Sequence, residues 1–236
     1  MTHLRLMGAA VVAASLVHAP AARANGEANA PPDAAAIFER LQQANAERAA
    51  ALQSYLSRRR YAVFEPNHEP DAELVVSSQY IAPSTKTFET ISTQGVGWIH
   101  RRVFKGLMNA EREAAAGKDK TDSAITSANY DVQLVGTDSQ GGRDCYVITL
   151  TPKRRDKYLF VGKAWVDKQD FAIARLEGEP ARSPSFWVVR APFVREYQRV
   201  DRFWLPLKDE THSQIRLAGE YILRIDYADY QITARN

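Results

Sequence analysis

The spacing of apolar and polar positions changes twice in the first half of the chain. After Asp33, a residue typical of a helix N-cap, apolar residues recur at helical spacing as far as Tyr55, and they predict an amphipathic helix. From Arg58 the period falls to two, which predicts strands over 58–65, 72–82 and 86–93. The segment from Gly97 to Gly117 returns to helical spacing, with Gly117 where a C-terminal cap belongs.

After Asn129 the pattern is that of strands joined by turns. The predicted strands cover 130–137, 143–152, 156–167, 171–178, 185–190, 193–200, 203–217 and 220–232. Because most connections are short, neighbouring strands are expected to pair antiparallel. The order of a helix, three strands, a helix and many strands indicates an α+β fold.

Four prolines interrupt consecutive predicted strands: Pro180, Pro184, Pro192 and Pro206. Proline in a sheet is confined to edges, strand ends and bulges, and a closed barrel has no edge. The sequence therefore predicts a single curved antiparallel sheet that forms an unclosed half-barrel, with an edge or bent rim and an irregular mouth at 179–185. Its concave face would be covered by helices, here the N-terminal helix and the inserted helix, or by a ligand.

The first residues resemble a secretory signal. Arg5 precedes an apolar run from Leu6 to Val17, and a small-residue segment ends at Ala24. The run is shorter than the roughly 20 residues that span a membrane. We expect a signal peptide over 1–24 cleaved after Ala24, a flexible spacer over 25–32 and one domain over 33–236. The mature chain would be exported, with no lipid anchor and no integral membrane segment.

Charge, cysteine content and histidine spacing argue against a nucleic-acid-binding protein, a disulfide-stabilised fold and a metal site. Loss of Arg5 and Arg23 with the signal lowers the net charge from +3 to about +1, which removes the electrostatic argument for nucleic acid. Cys145 is the only cysteine, so no internal disulfide forms and a packed thiol is expected. His68, His100 and His212 do not stand at metal-ligand spacing. The sequence predicts no catalytic residue, no metal and no cofactor, and so no enzyme.

The blocks 92–113, 162–188 and 203–227 are similar to the LolA/LolB-like superfamily of periplasmic lipoprotein carriers, also described as outer membrane lipoprotein-sorting proteins. The resemblance implies an unclosed half-barrel whose cavity receives acyl chains beneath helices. In the best-known carrier, an arginine before the proline between the second and third strands helps hold the lid helices closed. This chain has Ala82 before Pro83 at that position.

The resemblance implies a non-catalytic periplasmic binding or carrier protein for lipid acyl chains or lipoproteins, which would work as a monomer and meet envelope membrane complexes. The alternatives are an RseB-like envelope-stress regulator or protein-binding scaffold and, third, an enzyme on a hydrophobic substrate. The candidate cavity residues are Tyr80, Phe88, Trp98, Val103, Leu107, Trp165, Phe171, Trp187, Trp204 and Leu223. Basic clusters are usually solvated, but four arginines are candidates for contacts with anionic headgroups at the cavity mouth: Arg58, Arg60, Arg101 and Arg102.

Overall fold

The computed structural model describes residues 33–117, 123–156, 158–183 and 185–235. The predicted signal peptide (1–24) and spacer (25–32) lie outside these residues, as does Pro184. The described chain contains two helical segments and one antiparallel sheet.

The first helix, α1 (Ala34–Ala51), begins where the sequence predicts. The Asp33 carboxylate caps it by accepting the backbone N–H of Ala36 at 2.7 Å. The helix ends earlier than the apolar spacing predicts, because strand β1 (Leu52–Phe64) starts directly after it. Leu52 pairs with Ala234, near the other end of the chain. Long-range strand pairing thus overrides the local helical pattern between 52 and 56.

The inserted helical segment lies between strands β3 and β4. It consists of α2 (Gly97–Ile99), a π-helical turn (His100–Phe104) and α3 (Lys105–Ala115). Gly117 follows with a φ of 91° and donates its N–H to the Ala114 carbonyl at 3.1 Å, as expected of a C-terminal cap. The predicted helix is therefore present, but its π turn has no signal in the apolar spacing.

The remaining strands closely follow the predicted ones, except that the segment 185–190 contributes only three strand residues. They are β2 (Ala72–Ile81), β3 (Thr85–Gly95), β4 (Tyr130–Gln140), β5 (Arg143–Pro152), β6 (Phe160–Asp167), β7 (Ile173–Pro180), β8 (Val188–Arg190), β9 (Phe193–Val200), β10 (Phe203–Ile215) and β11 (Gly219–Ala234). The order is β3-β2-β1-β11-β10-β9-β7-β6-β5-β4, with β8 paired to β10. Because β3 and β4 do not pair with each other, the predicted unclosed half-barrel is confirmed.

The described prolines mark strand ends and breaks in the sheet. Pro180 closes β7, Pro192 separates β8 from β9, and Pro206 lies at a register shift within β10. Strand β10 pairs with β11 only from Lys208 onward, so Pro206 stands where these two strands separate. The predicted bent region is present, and it includes a short free edge, because among the described strands β8 pairs with β10 alone, whereas the strands at the two ends of the sheet are β3 and β4.

The two helical segments cover different parts of one face of the sheet, which we call the inner face. Ile37, Phe38 and Leu41 of α1 pack with buried residues of β4 to β7. Ile99 and Phe104 of the inserted segment pack with buried residues of β1, β2 and β11. Each large apolar side chain buried in this way contributes about 1.5–3 kcal/mol to folding. The floor of the sheet between the two covers holds the candidate site.

Candidate functional site

A cavity of about 340 Å³ lies between α3 and the inner face of the sheet. Its size is at the lower end of the range of roughly 300–1,000 Å³ typical of small-molecule sites. Its wall combines tyrosines and aliphatic residues with several charged groups. The lining residues are Tyr55, Arg59, Lys86, Leu107, Glu111, Arg195, Tyr197, Pro206, Asp209, Thr211, Leu223, Ile225 and Tyr227.

Strand alternation explains which residues of β1 reach the cavity. Arg59 stands opposite Val76 of β2 and Tyr227 of β11, so these three side chains share the inner face. Tyr55 and Tyr61 lie on the same face because they are separated from Arg59 by even numbers of residues. Arg59 is only 2 % exposed, and the cavity therefore has a buried cation in its floor.

Glu111 of α3 connects the helix to this floor. Its carboxylate accepts hydrogen bonds from Nη1 of Arg59 at 2.5 Å and from Nζ of Lys86 at 2.5 Å. The Tyr61 hydroxyl donates to the other carboxylate oxygen at 3.2 Å. No residue of α3 is fully buried, so this charged cluster is a principal attachment of the helix. Charge-assisted hydrogen bonds of this kind are about twice as strong as neutral ones.

The electrostatics of the cluster favour its ionised form. Burial by itself raises the pKa of Glu111, but Arg59 and Lys86 outweigh that effect and hold it below its usual range. Burial lowers the pKa of Lys86 despite the attraction of Glu111. Burial would also lower the pKa of Arg59, but Glu111 and the neighbouring tyrosines raise it further than burial lowers it. One carboxylate thus faces two cations in a poorly solvated space.

The charge balance of the cavity favours an additional anion. Arg195 and Asp209 form a second ion pair on its wall, with Arg195 Nε donating to Asp209 Oδ2 at 2.7 Å. With Arg59, Lys86 and Glu111, the lining residues carry three cations and two carboxylates. Arg59 Nε is buried and has no hydrogen-bond partner among the described residues. A buried donor without a partner is costly, and an oxygen-bearing ligand would satisfy it.

Two more apolar spaces adjoin this cavity. One, of about 340 Å³, is lined by Ala49, Leu52, Tyr80, Ala114 and Ala115, and it shares Tyr55, Lys86 and Glu111 with the main cavity. The other, of about 240 Å³, shares Tyr197 with the main cavity, and its apolar lining includes Leu52, Ile173, Phe203 and Leu205. The three spaces run between the C-terminal half of α1 and α3. A charged centre therefore has apolar space on two sides.

Six of the ten predicted cavity residues lie at or near this site, including Trp204, which lines the smaller adjoining space. Leu107 and Leu223 line the main cavity, and Tyr80 lines the adjoining space. Phe88 and Val103 pack against the cluster beneath the inserted helical segment. Arg59 lies over the Phe88 ring at 5.6 Å, so Phe88 supports the charged floor rather than bounding the ligand space.

The other four predicted cavity residues lie elsewhere. Trp165 packs with Cys145, Val147 and Ala174, a cluster against which Trp204 also packs. Phe171 packs against the α1 cluster, with Arg40 4.2 Å from its ring centroid. Two tryptophans are on the surface, Trp98 at 53 % and Trp187 at 58 % exposure. Aromatic residue type alone did not determine which face each side chain occupies, because strand register decides it.

None of the four arginines predicted at the mouth lines the cavity. Arg58 and Arg60 lie on the opposite face of β1 from Arg59, where Arg58 pairs with Asp229 at 3.2 Å and Arg60 pairs with Glu73 and Asp226. Arg101 and Arg102 are exposed on the π-helical turn. The cationic residue of β1 in the cavity is instead Arg59.

Sequence reasoning missed most of the polar lining of the site. Alternation places Arg59 opposite to Arg58 and Arg60, and its neighbours at even spacing, Tyr61 and Val63, are apolar, which signals an inward position. Glu111 and Asp209 carry no comparable local signal, because their partners lie 52 and 14 residues away in the chain. Such partnerships follow only from the tertiary arrangement.

The described residues contain no group of three or more His, Cys, Asp or Glu side chains that would hold a metal ion. His212 contacts two carboxylates, Glu210 at 3.0 Å and Glu220 at 2.9 Å, on the opposite face of β10 from the cavity residue Thr211. Cys145 is buried, and burial raises the pKa of its thiol to about 11, which keeps it in the unreactive protonated form. No helix in the described part of the chain is long and apolar enough to cross a membrane.

A family model described as "-like: Uncharacterized protein" matches residues 106–233, which is more than half of the chain. The chain belongs to this family. Its matched region runs from α3 to β11 and so includes Glu111, Arg195 and Asp209 of the cavity. No curated protein matches the chain significantly.

Several solved structures are similar to the chain at low identity. A DUF1329 family protein from Desulfovibrio piger is 12% identical over 84% of this chain and 92% of that one, with a TM-score of 0.42. A LolA superfamily protein from Nitrosomonas europaea is 16% identical over 87% and 96%, with a TM-score of 0.39. An outer membrane lipoprotein-sorting protein domain from Vibrio parahaemolyticus is 12% identical over 83% and 92%, with a TM-score of 0.41. The last two names agree with the superfamily that the sequence resembles, but likenesses this distant carry no argument about function.

Proposed function

We propose that the protein is a non-catalytic periplasmic binding or carrier protein for an amphipathic lipid, either free or as the acylated end of a lipoprotein. The observation that carries this proposal is the cavity between α3 and the inner face, in which a buried cationic centre adjoins two apolar spaces. Export to the periplasm is part of the proposal, and it rests on the signal-like residues 1–24.

The apolar spaces suit acyl chains. Leu52, Phe203 and Leu205 line one space, and Ala49, Ala114 and Ala115 line the other. Each methylene group that leaves water for such surroundings contributes about 0.8 kcal/mol. Hydrophobic burial would therefore supply most of the affinity, without the precise polar geometry that an active site needs.

The charged centre suits the polar end of the same ligand. Arg59, Lys86 and Arg195 surround it, and Arg59 Nε lacks a partner in the described structure. A carboxylate or phosphate oxygen there would meet cations in a space of low dielectric constant, where charge-assisted hydrogen bonds are strong. The ligand class that fits best therefore combines an acyl chain with an anionic group.

The first test is native mass spectrometry of the protein purified from a periplasmic extract, followed by lipid extraction. A bound acylated species is the expected result. Leu223→Asp, which puts a charge into the cavity, should abolish its recovery. Val135→Asp introduces the same change at an exposed position of β4 and should leave recovery unchanged. Equal recovery from both variants would contradict binding in the cavity.

A second test examines the polar end of the ligand. Lys86→Met keeps an unbranched side chain of similar length but removes the charge from the cavity. A fluorescent fatty acid should bind this variant more weakly than the parent protein by roughly tenfold, whereas its methyl ester should bind both equally. The matched control is Lys163→Met on β6, which does not line the cavity. Equal loss of affinity for the acid and the ester would show that the cavity does not distinguish a charged ligand from a neutral one.

The alternative functions remain outcomes of these tests. A protein that carries no lipid and binds none of the acyl probes would point to a regulator or protein-binding scaffold of the RseB-like type. Turnover of a bound lipid or ester would favour an enzyme on a hydrophobic substrate.

A further inference from the structure

Exposed apolar side chains of the described residues concentrate at one end of the strands. Leu217 is 97 % exposed, Phe186 is 72 % exposed, and Trp187 and Trp98 are more than half exposed. Val96 and Val189 lie beside them in the sequence and are also exposed. We call these six residues the aromatic rim. Scattered exposed apolar residues are normal, but a contiguous group marks an interaction site.

Strand pairing places these residues at the same end of the sheet. Gly95, just before Val96, pairs with Ala72, which pairs with Val63 near the end of β1. Phe64 at that end pairs with Ile222 near the start of β11. Strand β11 in turn begins opposite the end of β10, where Ile215 pairs with both Gly219 and Val188. From β3 to β10 the path crosses four strand spacings, or about 19 Å measured along the sheet.

Local contacts hold one half of the rim in its exposed position. The Phe186 and Trp187 rings meet edge to face with centroids 5.4 Å apart. The Arg216 guanidinium lies 4.8 Å from the Phe186 centroid, and the Arg216 backbone N–H donates to the Trp187 carbonyl at 2.8 Å. The β10–β11 turn, with Leu217 at its tip, thus supports the aromatic pair from one side.

The charges around the rim are predominantly basic. Five exposed arginines at this end have no carboxylate partner among the described residues: Arg101, Arg102, Arg155, Arg182 and Arg216. The carboxylates that lie here without an ion pair belong to the β1–β2 turn, namely Glu65, Glu69 and Asp71. The unpaired arginines therefore outnumber the unpaired carboxylates, which gives the rim a complementary charge for an anionic surface.

We propose that the aromatic rim docks the protein onto an anionic phospholipid surface. Trp98 and Trp187 would enter the interface between headgroups and acyl chains, where aromatic rings with one polar edge are favoured, and Phe186 would be buried beside Trp187 as a purely apolar ring. The surrounding arginines would face the headgroups, since each basic residue near an anionic membrane adds attraction. The apolar groups beside β3 and β8 are five strand spacings, or about 24 Å, apart along the sheet, which suits an extended surface better than a single narrow groove in a protein partner. This inference does not depend on a ligand in the cavity.

The test is sedimentation with vesicles made of equal parts phosphatidylglycerol and phosphatidylcholine, and with vesicles of phosphatidylcholine alone. The parent protein should bind the anionic vesicles and lose that binding in high salt. The double variant Phe186→Ser/Trp187→Ser should bind them more weakly by roughly tenfold or more. Arg101→Gln/Arg102→Gln should weaken binding to anionic vesicles and reduce its dependence on salt.

Ile91→Ser serves as the matched control, because Ile91 is more than half exposed but lies within β3, away from the rim. It should bind vesicles like the parent protein. Circular dichroism and binding of a soluble fatty-acid probe should be unchanged in every rim variant, which separates this proposal from the one on the cavity. The proposal fails if the parent protein does not bind anionic vesicles, or if the aromatic double variant binds them as strongly as the parent protein does. Capture of a protein by the rim without any vesicle binding would also overturn it, in favour of a protein interface.

Discussion

At the scale of single residues, Glu111 is the side chain on which the cavity most depends. Replacement by Gln keeps its shape but leaves Arg59, which is 2 % exposed, without a compensating charge. Breaking a buried ion pair from one side leaves a buried charge unpaired, so we expect Glu111→Gln to lower the free energy of unfolding by about 3 kcal/mol. Urea denaturation followed by circular dichroism measures this change.

The control for Glu111 is Glu39→Gln, which removes a carboxylate from an exposed position of α1. It should change stability by less than about 0.5 kcal/mol. The Glu111 effect should also shrink in acid. Because the folded pKa of Glu111 is lowered, its contribution is complete above the ordinary value of 4.5 and disappears as the pH falls through the folded pKa. Equal losses from both variants would show that α3 is held by something other than this cluster.

His212 provides a pH-dependent prediction away from the cavity. Its hydrogen bonds to Glu210 and then Glu220 raise its pKa above the ordinary 6.5. Burial opposes ionisation of Glu210, yet hydrogen bonds from His212, Lys208 and Arg224 lower its pKa to about 2. A raised folded pKa stabilises the protein fully below 6.5, and this contribution is lost as the pH rises through the folded value.

We therefore expect His212→Gln to destabilise the protein most between the ordinary values of 4.5 for Glu210 and 6.5 for His212, and less as the pH rises beyond that window. Urea midpoints across this range and above it measure the profile. His68→Gln, in an exposed turn, should show no such maximum. A constant difference at every pH would mean that His212 acts by packing alone.

At the scale of elements, two glycines respond oppositely to the same substitution. A Cβ on Gly162 would lie 1.9 Å from the Glu177 carbonyl oxygen, because β6 and β7 meet backbone to backbone at the Gly162–Gly178 pair. A Cβ on Gly106 of α3 would meet nothing within 4 Å. Gly162→Ala should cost about 1–3 kcal/mol or more, as overpacking does. Gly106→Ala should stabilise the protein by up to about 1 kcal/mol through helix propensity. Thermal unfolding of the two variants measures the sign of each change in stability. A Gly162→Ala variant as stable as the parent protein would contradict the close approach of the two strands.

The elements themselves were largely predictable from the sequence, since period-two alternation needs only local information. The prediction over 193–200 matches β9, and the prediction over 143–152 matches β5. The prediction of helix at Leu52–Leu56 is wrong because these residues pair with β2 and β11 as part of β1, although the helical spacing of apolar residues continues through them. The site was less predictable for the same reason, because Arg59, Lys86 and Glu111 come from β1, β3 and α3 and meet only in the folded chain.

At the scale of the whole molecule, the centre of the sheet joins the two ends of the described chain. Strand β1 pairs along its length with β11, so β11 connects the β1–β3 part of the sheet to β10 and the strands beyond it. The cavity lies across this junction, with Arg59 on β1, Tyr227 on β11 and Asp209 on β10. The part of the floor that bears the charges thus forms only when the last strand is in place.

Removal of residues 219–236, which deletes β11, should therefore abolish folding of the whole domain rather than merely shorten it. Without β11, both β1 and β10 expose an unpaired edge, and Tyr61 loses Ile225 and Tyr227 from its cluster. The shortened chain should lack a cooperative urea transition and should aggregate. Removal of residues 235–236 alone costs the hydrogen bonds from the Arg235 N–H to the Ala51 carbonyl and from Arg202 Nη2 to the Arg235 carbonyl. It leaves β11 whole, and this control should unfold cooperatively. Because pairing the two ends closes a loop of nearly the whole domain, refolding of the intact protein should also be slow for its size. A stable fold without β11 would mean that the two parts of the sheet are independent, and the cavity would then be a feature between two units rather than the centre of one.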